Sequence, residues 1–209
     1  MLDEASQALL KTGLVDLGLE TPQIKIDKLV LFLVLMQKWN KVYNLSAIRQ
    51  VKDMVNLHIL DSLSVMPFLR GHHVADIGTG AGLPGIPLAI YRPELSFVLL
   101  DSNAKKTRFV QQVILELGLK NVEIYQGRVE TYLPRQRFDT VITRAFSDLK
   151  SIWSIALPLL TPTGIVLAMK GARPDAEINA LANCQVEVHT FGVPGINAKR
   201  CLVSLTTTN

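Results

Sequence analysis

Val74-Ala-Asp-Ile-Gly-Thr-Gly-Ala-Gly-Leu-Pro-Gly85 is an apolar run that ends at an acid and then breaks into four glycines. Such a stretch reads as a buried strand turning sharply into a helix. Gly78, Gly80 and Gly82 permit positive φ and carry no Cβ, so the backbone there can lie directly against a ligand. A nucleotide-like ligand is expected, and two chemistries fit. Gly80-Ala-Gly82-Leu-Pro-Gly85 has the G-x-G-x-x-G form of a dinucleotide site, whereas Asp76-Ile-Gly78-Thr-Gly80-Ala-Gly82 has the D-h-G-x-G-x-G form of S-adenosylmethionine sites. The second is favoured. A dinucleotide needs a long helix whose N-terminus holds a pyrophosphate, but Pro84 and Pro87 crowd that place and Pro93 stops the helix soon after. The plain alternative is a tight turn with no ligand.

From His73 onward, strand-like and helix-like segments alternate, which argues for βαβ units and a parallel sheet. Strands are expected at 73–77, 96–100, 122–125, 139–143, 164–169, 185–191 and 201–206. The last two are joined by Gly192 to Arg200, a connection without helical pattern that suits an antiparallel hairpin. Five parallel strands followed by a hairpin is the layout of the class I methyltransferase fold. The expected domain, residues 71–209, is therefore α/β and Rossmann-like, with a seven-stranded, mostly parallel sheet whose last strand is antiparallel.

Upstream, residues 3–19 have helical periodicity interrupted by Gly13 and Gly18. Thr21-Pro22 then reads as a cap with Pro at the first position of a longer helix, 22–43. The apolar stretch from Leu29 to Met36 goes round the whole cylinder, so that helix should be covered on most sides. It is far short of the ~20 residues of a membrane span. A third helical piece, 51–68, places His58 and Asp61 on one face. No linker-like run separates these helices from the rest, so residues 1–70 are read as an extension packed on the main domain.

With 209 residues and 48% hydrophobic content, the chain can bury one substantial core. A net charge of +4 admits a polyanionic partner without requiring one. Cys184 and Cys201 make no disulfide framework and the four histidines show no metal-ligand spacing, which points to a reducing compartment and no metal. Asp3 and Glu4 stand where an export signal carries basic residues. A soluble cytoplasmic protein without membrane contact is expected.

Asp101 follows the first glycine by about 20 residues, the place from which an acid accepts hydrogen bonds from ribose hydroxyls. It could equally cap a helix in Asp101-Ser-Asn-Ala. Asp76, alone at the end of an apolar strand, needs donors. Loop amides and a cofactor ammonium group could supply them, or the acid merely braces the turn. Basic residues follow the strand ends: Lys105, Lys106, Arg108, Arg128, Arg144 and Lys170, with Arg200 opening the last strand on the same rim. Singly these are solvated surface charges. As a set they are the footprint of a phosphate-binding rim, as for RNA. No Asn-Pro-Pro-Tyr type motif follows the fourth strand, where Thr143-Arg144-Ala145-Phe146 stands, which disfavours methylation of an exocyclic amine. No cysteine is placed for a carbon-5 pyrimidine reaction. A nucleophile with its own lone pair remains, such as a purine ring nitrogen.

Lys38-Trp-Asn-Lys-Val-Tyr-Asn44-Leu45, His58-Ile-Leu-Asp61-Ser62, the glycine turn through Leu88, Leu100-Asp101-Ser102 with Lys105 to Phe109, Arg128-Val129-Glu130, Thr143 to Phe146, and Met169-Lys170-Gly171 together resemble the RsmG family, also called glucose-inhibited division protein B. The resemblance covers nearly the whole chain. It implies transfer of a methyl group from S-adenosylmethionine to N7 of a guanine in a decoding-region loop of bacterial small-subunit ribosomal RNA. The family's cofactor contacts fall on Gly78, Leu83, Val129, Glu130 and Arg144, and class I geometry adds Asp76, Gly80, Gly82 and Asp101. Its RNA-side or active-site positions fall on Asn44, His58, Arg128, Lys170 and Arg200. The implied partner is small-subunit ribosomal RNA or the small subunit, met by a monomer. Two other readings stand beside it: a nicotinamide-dependent oxidoreductase using NAD or NADP, and a non-catalytic RNA-binding protein.

Overall fold

Short apolar runs build seven strands: β1 (His73–Ile77), β2 (Ser96–Asp101), β3 (Val122–Gln126), β4 (Phe138–Arg144), β5 (Leu160–Lys170), β6 (Cys184–Val193) and β7 (Ile196–Thr207). In the computed structural model, which describes residues 2–208, they form one sheet in the order β3-β2-β1-β4-β5-β7-β6. The pairings from β3 to β5 are parallel, and β7 runs antiparallel to both β5 and β6. This is the expected class I layout. Side chains alternate between faces as a period of two requires. On β5, Ile165, Leu167 and Met169 join one apolar cluster while Val166 and Ala168 join the other.

The first cluster receives the helices α1 (Glu4–Asp16) and α2 (Gln23–Tyr43), which stand on the same face as α5 (Gly85–Tyr91) and α6 (Ala104–Leu117). Leu10, Leu14, Phe32 and Leu33 share that core with Phe97, Phe109 and Leu202. The second cluster holds α7 (Leu149–Ala156). Gly13 does not break α1. It lies inside the helix beneath Leu60, where a Cβ would collide with the leucine side chain. Pro22 takes the cap position, and α2 begins one residue later than expected.

Two expectations need correction. The third helical piece is not uniform: α3 (Val51–Met54) passes into a π-helical stretch, Val55–Leu60, and back to α4 (Asp61–Leu63). The segment from Gly192 to Arg200 is not a loop either. Only Pro194-Gly195 turns, with Gly195 at φ 74° and its carbonyl accepting from Asn56 Nδ2 at 3.2 Å. Arg200 therefore lies within β7, opposite Phe191, and does not open the strand. It remains on the carboxyl rim because its neighbour Cys201 pairs with Lys170 at the end of β5. Among the described residues no helix is long and apolar enough to cross a membrane, and no group of three His, Cys, Asp or Glu could hold a metal ion. β1 lies between β2 and β4, so the crevice beyond their carboxyl ends is the switch point where open α/β sheets take ligands.

Candidate active site

Past Ile77 the backbone turns through Gly78 and Gly80, at φ 69° and 60°. The amides of this turn point inward. Gly78 and Thr79 both donate to the Leu100 carbonyl, at 2.8 and 3.0 Å, and Gly82 and Leu83 donate to the Thr79 carbonyl. Gly80 donates to Asp101 Oδ2 and Gly85 to Asp76 Oδ2, each at 2.8 Å. A pyrophosphate would find those donors already used. The N-terminus of α5, where it would sit, is occupied by the Asp76 carboxylate. These bonds give the dinucleotide reading no support.

Asp76 is fully buried and also accepts from Thr79 Oγ1 at 2.7 Å. Burial pushes its pKa up to about 6 against those two hydrogen bonds. Asp76 thus braces the turn through Oδ2, while its Oδ1 is buried without a hydrogen-bond partner among the described residues. A Cβ on Gly82 would press on Ile86, and Leu83 is buried in the core. Asp76, Gly82 and Leu83 thus shape the turn from behind, and none lines either of the two cavities at the rim.

In front of the turn lies a cavity of about 410 Å³, walled by Gly78, Asp101, Lys106, Gly127, Arg128, Val129, Glu130, Ala145 and Phe146. Asp101 Oδ1 accepts from the Asn103 amide at 2.8 Å. The cap of α6 is Asn103, whose side chain takes the Lys105 and Lys106 amides. That leaves Asp101 with spare lone pairs for hydroxyls. The cavity thus sets a carboxylate with free lone pairs beside bare glycines, with Lys106 and Arg128 adding positive charge to its wall. Val129 and Glu130 line this cavity. Arg128, expected on the RNA side, lines it too, and the Phe146 ring lies over Gly78.

A second cavity, about 480 Å³, opens between the ends of β4, β5 and β7 and the π-helical stretch. Leu57, Val65, Met169, Phe191 and Cys201 supply apolar walls, and His58, Asp61, Arg144, Lys170 and Arg200 the polar groups. Asp61 Oδ1 accepts from Arg200 Nε at 2.7 Å and Oδ2 from Arg144 Nη1 at 3.3 Å. Arg144, expected at the cofactor, belongs here and also donates to the Leu57 carbonyl at 2.9 Å. Lys170 Nζ is shared between the Ser147 carbonyl, at 2.9 Å, and Glu177 Oε2, at 2.8 Å. His58 meets Ser46 Oγ at 3.0 Å through Nε2. Burial first, then the charge of Arg144, lowers its pKa to about 4, so its ring is neutral near pH 7. Asn44 lines neither cavity; it is exposed and accepts from Arg49.

Ala145 alone lines both cavities. The roles of Asp61, Ser46, Glu177 and Gly127 were not foreseen. Asp61 had a signal, three residues after His58 on one helical face. Glu177 had none, since only the fold brings it to Lys170.

A glycine turn and an acid-tipped β2 at the switch point of a sheet ordered 3-2-1-4-5-7-6 define a class I S-adenosylmethionine-dependent methyltransferase. The glycopeptide N-methyltransferase MtfA in complex with S-adenosylmethionine shares the fold at a TM-score of 0.63 and 11% identity, over 73% of this chain and 88% of its own. Precorrin-6y C5,15-methyltransferase from Geobacter metallireducens does so at 0.58 and 15%, over 80% and 93%. The chain belongs to the GidB family, rRNA small subunit methyltransferase G, whose model matches residues 25–202. Ribosomal RNA small subunit methyltransferase G of Methylococcus capsulatus is 50% identical over 198 residues, 94% of this chain and 97% of that protein. Its Legionella pneumophila namesake is 47% identical over 210 residues, 100% and 99%.

Proposed function

We propose that the chain methylates N7 of a guanine in bacterial small-subunit ribosomal RNA, acting as a cytoplasmic monomer. The observation that carries this reading is the second cavity: apolar walls, a cationic floor, and no carboxylate free to act as a base, with His58 left only a weak one. Asp61 is tied to two arginines and His58 is buried at a depressed pKa. An acceptor there must bring its own lone pair, as guanine N7 does on its major-groove edge.

When bound, S-adenosylmethionine supplies an electrophilic methyl group, which bonds to the ring nitrogen as sulfur takes back the bonding pair, and no proton moves. Asp101, Gly78, Gly80, Gly127, Val129 and Glu130 are the residues that would hold it. Arg144 and Arg200 present N–H donors suited to O6 of the same base, and Asp61 fixes their direction. Lys106, Arg108 and Arg128 offer charge to phosphates beyond the cavity. The chain's contribution is thus orientation and a preorganised field rather than acid–base chemistry. Residues 1–70 serve as an extension that walls the acceptor cavity on the 71–209 domain, supported by Ile48, Leu57, His58, Asp61, Ser64 and Val65 in its lining.

N7-methylation leaves a fixed positive charge on the purine, which makes the nucleotide sensitive to borohydride followed by aniline. Small-subunit RNA from cells lacking the protein should resist that treatment at one decoding-region guanine. Incubation with the purified protein and S-adenosylmethionine should restore a single cleavage. Transfer of methyl without an aniline-sensitive site would assign a different atom.

A further inference from the structure

We infer that Ala145 is the aperture through which the two cavities communicate, and that its small side chain is a requirement of methyl transfer. The inference rests on the assignment of one cavity to the cofactor and the other to the base. Ala145 is the one residue lining both. It is also one of few non-glycine residues at positive φ, 52°, a conformation L residues avoid. Its neighbours hold it there from every side. Thr143 Oγ1 donates to the Ile77 carbonyl at 2.8 Å, and Arg144 is fixed by Asp61 and the Leu57 carbonyl. The Phe146 ring is seated over Gly78, and Lys170 holds the Ser147 carbonyl. A backbone conformation so over-determined is maintained for a purpose.

The purpose follows from distance. Reacting atoms must approach to about 3–3.5 Å, so no side chain that reaches beyond its Cβ can stand between the base in one cavity and the methyl in the other. Positive φ turns the chain so that only a Cβ lies at the junction, with Arg144 directed to one side and Phe146 to the other. A longer side chain at 145 would leave each cavity able to fill but keep their contents apart.

Three variants test this: Ala145→Gly, Ala145→Asn and Ala145→Leu. Each is assayed for S-adenosylhomocysteine affinity by calorimetry, for binding to small ribosomal subunits from cells lacking the protein, for thermal stability, and for turnover. Asparagine tolerates positive φ but is larger than alanine, so it separates size from backbone strain. The expected result is that glycine keeps turnover within about threefold, since it relieves the backbone and keeps the opening. Asparagine and leucine should retain both affinities within about threefold while kcat falls at least about 100-fold, the scale that misplacement of reacting groups produces. Asparagine at wild-type turnover would overturn the aperture and leave only strain. So would loss of S-adenosylhomocysteine binding in the asparagine variant together with turnover, which would make Ala145 a wall of one cavity alone. Wild-type protein that binds both partners but transfers no methyl would overturn the assignment of the cavities instead, and the aperture with it.

Discussion

Asp76 and His58 respond to pH in opposite senses. Burial holds Asp76 at about 6 against an ordinary 3.8, so between those values the folded chain keeps a proton that the unfolded chain has lost. Its contribution to stability therefore falls as pH rises from about 4 to 6. His58, lowered from 6.5 to about 4, refuses a proton that the unfolded chain accepts, so its contribution is present above 6.5 and is lost as pH falls through that window. Urea midpoints at pH 4, 5, 6 and 7 check both. Relative to wild type, Asp76→Asn should gain about 1–3 kcal/mol between pH 4 and 6, and His58→Gln should lose less stability on acidification. Parallel curves for wild type and variants would remove both groups from the account. Asp61 makes a further prediction. Because it serves two guanidinium groups, the costs of Asp61→Asn and Arg200→Gln should be non-additive by about 0.5–3 kcal/mol in a double-mutant cycle; simple additivity would show the pair to be idle. At this scale the glycine turn and Asp101 were legible, because backbone freedom and an acid at a strand end are written in residue type. That Asp76 faces inward, and that Arg144 and Arg128 lie in each other's expected cavity, depends on which way a side chain leaves the rim, which spacing does not specify.

The strands were readable as short apolar runs between turn residues, since most are buried on both faces, and the helices by their apolar spacing. The π-helical stretch was not, since residues 54–60 are buried on most sides and such a run has no narrow stripe to show the phase change of a widened turn. Its effect on the site is large: Leu57, His58, Asp61, Ser64 and Val65 all reach one cavity wall. Such widened turns recur at functional sites. The loop before α3 is held by Asn40, buried at 4% exposure, whose side chain accepts from the Ser46 amide and donates to the Ser46 carbonyl, both at 2.9 Å. Ser46 in turn holds His58. Asn40→Ala should cost about 1–3 kcal/mol, the scale of buried groups left unpaired, and should speed amide exchange across 45–49. Unaltered exchange there would mean that the loop is held by other contacts.

Over the whole molecule the rim cations divide into two sets. Arg144, Lys170 and Arg200 are already paired with Asp61 and Glu177, whereas Lys105, Lys106, Arg108 and Arg128 have no ion-pair partner among the described residues. Free charges contribute counterion release in full. Replacing Lys105 or Arg108 with Gln should therefore lower the salt slope of RNA binding by ~0.7 each, with turnover at saturating RNA preserved. An unchanged slope would place those residues off the RNA path. The division was hidden from the sequence, where all seven cations look alike. One further consequence lies in β7, which is synthesised after the other six strands yet takes an interior place between β5 and β6. Until it arrives, those two strands have no partner between them, Arg200 is absent from Asp61, and the second cavity lacks a wall. A chain made from its N-terminus thus encodes the glycine turn, Asp101 and Phe146 well before β7, and the cavity in front of the glycine turn has its walls ahead of the one beside Asp61.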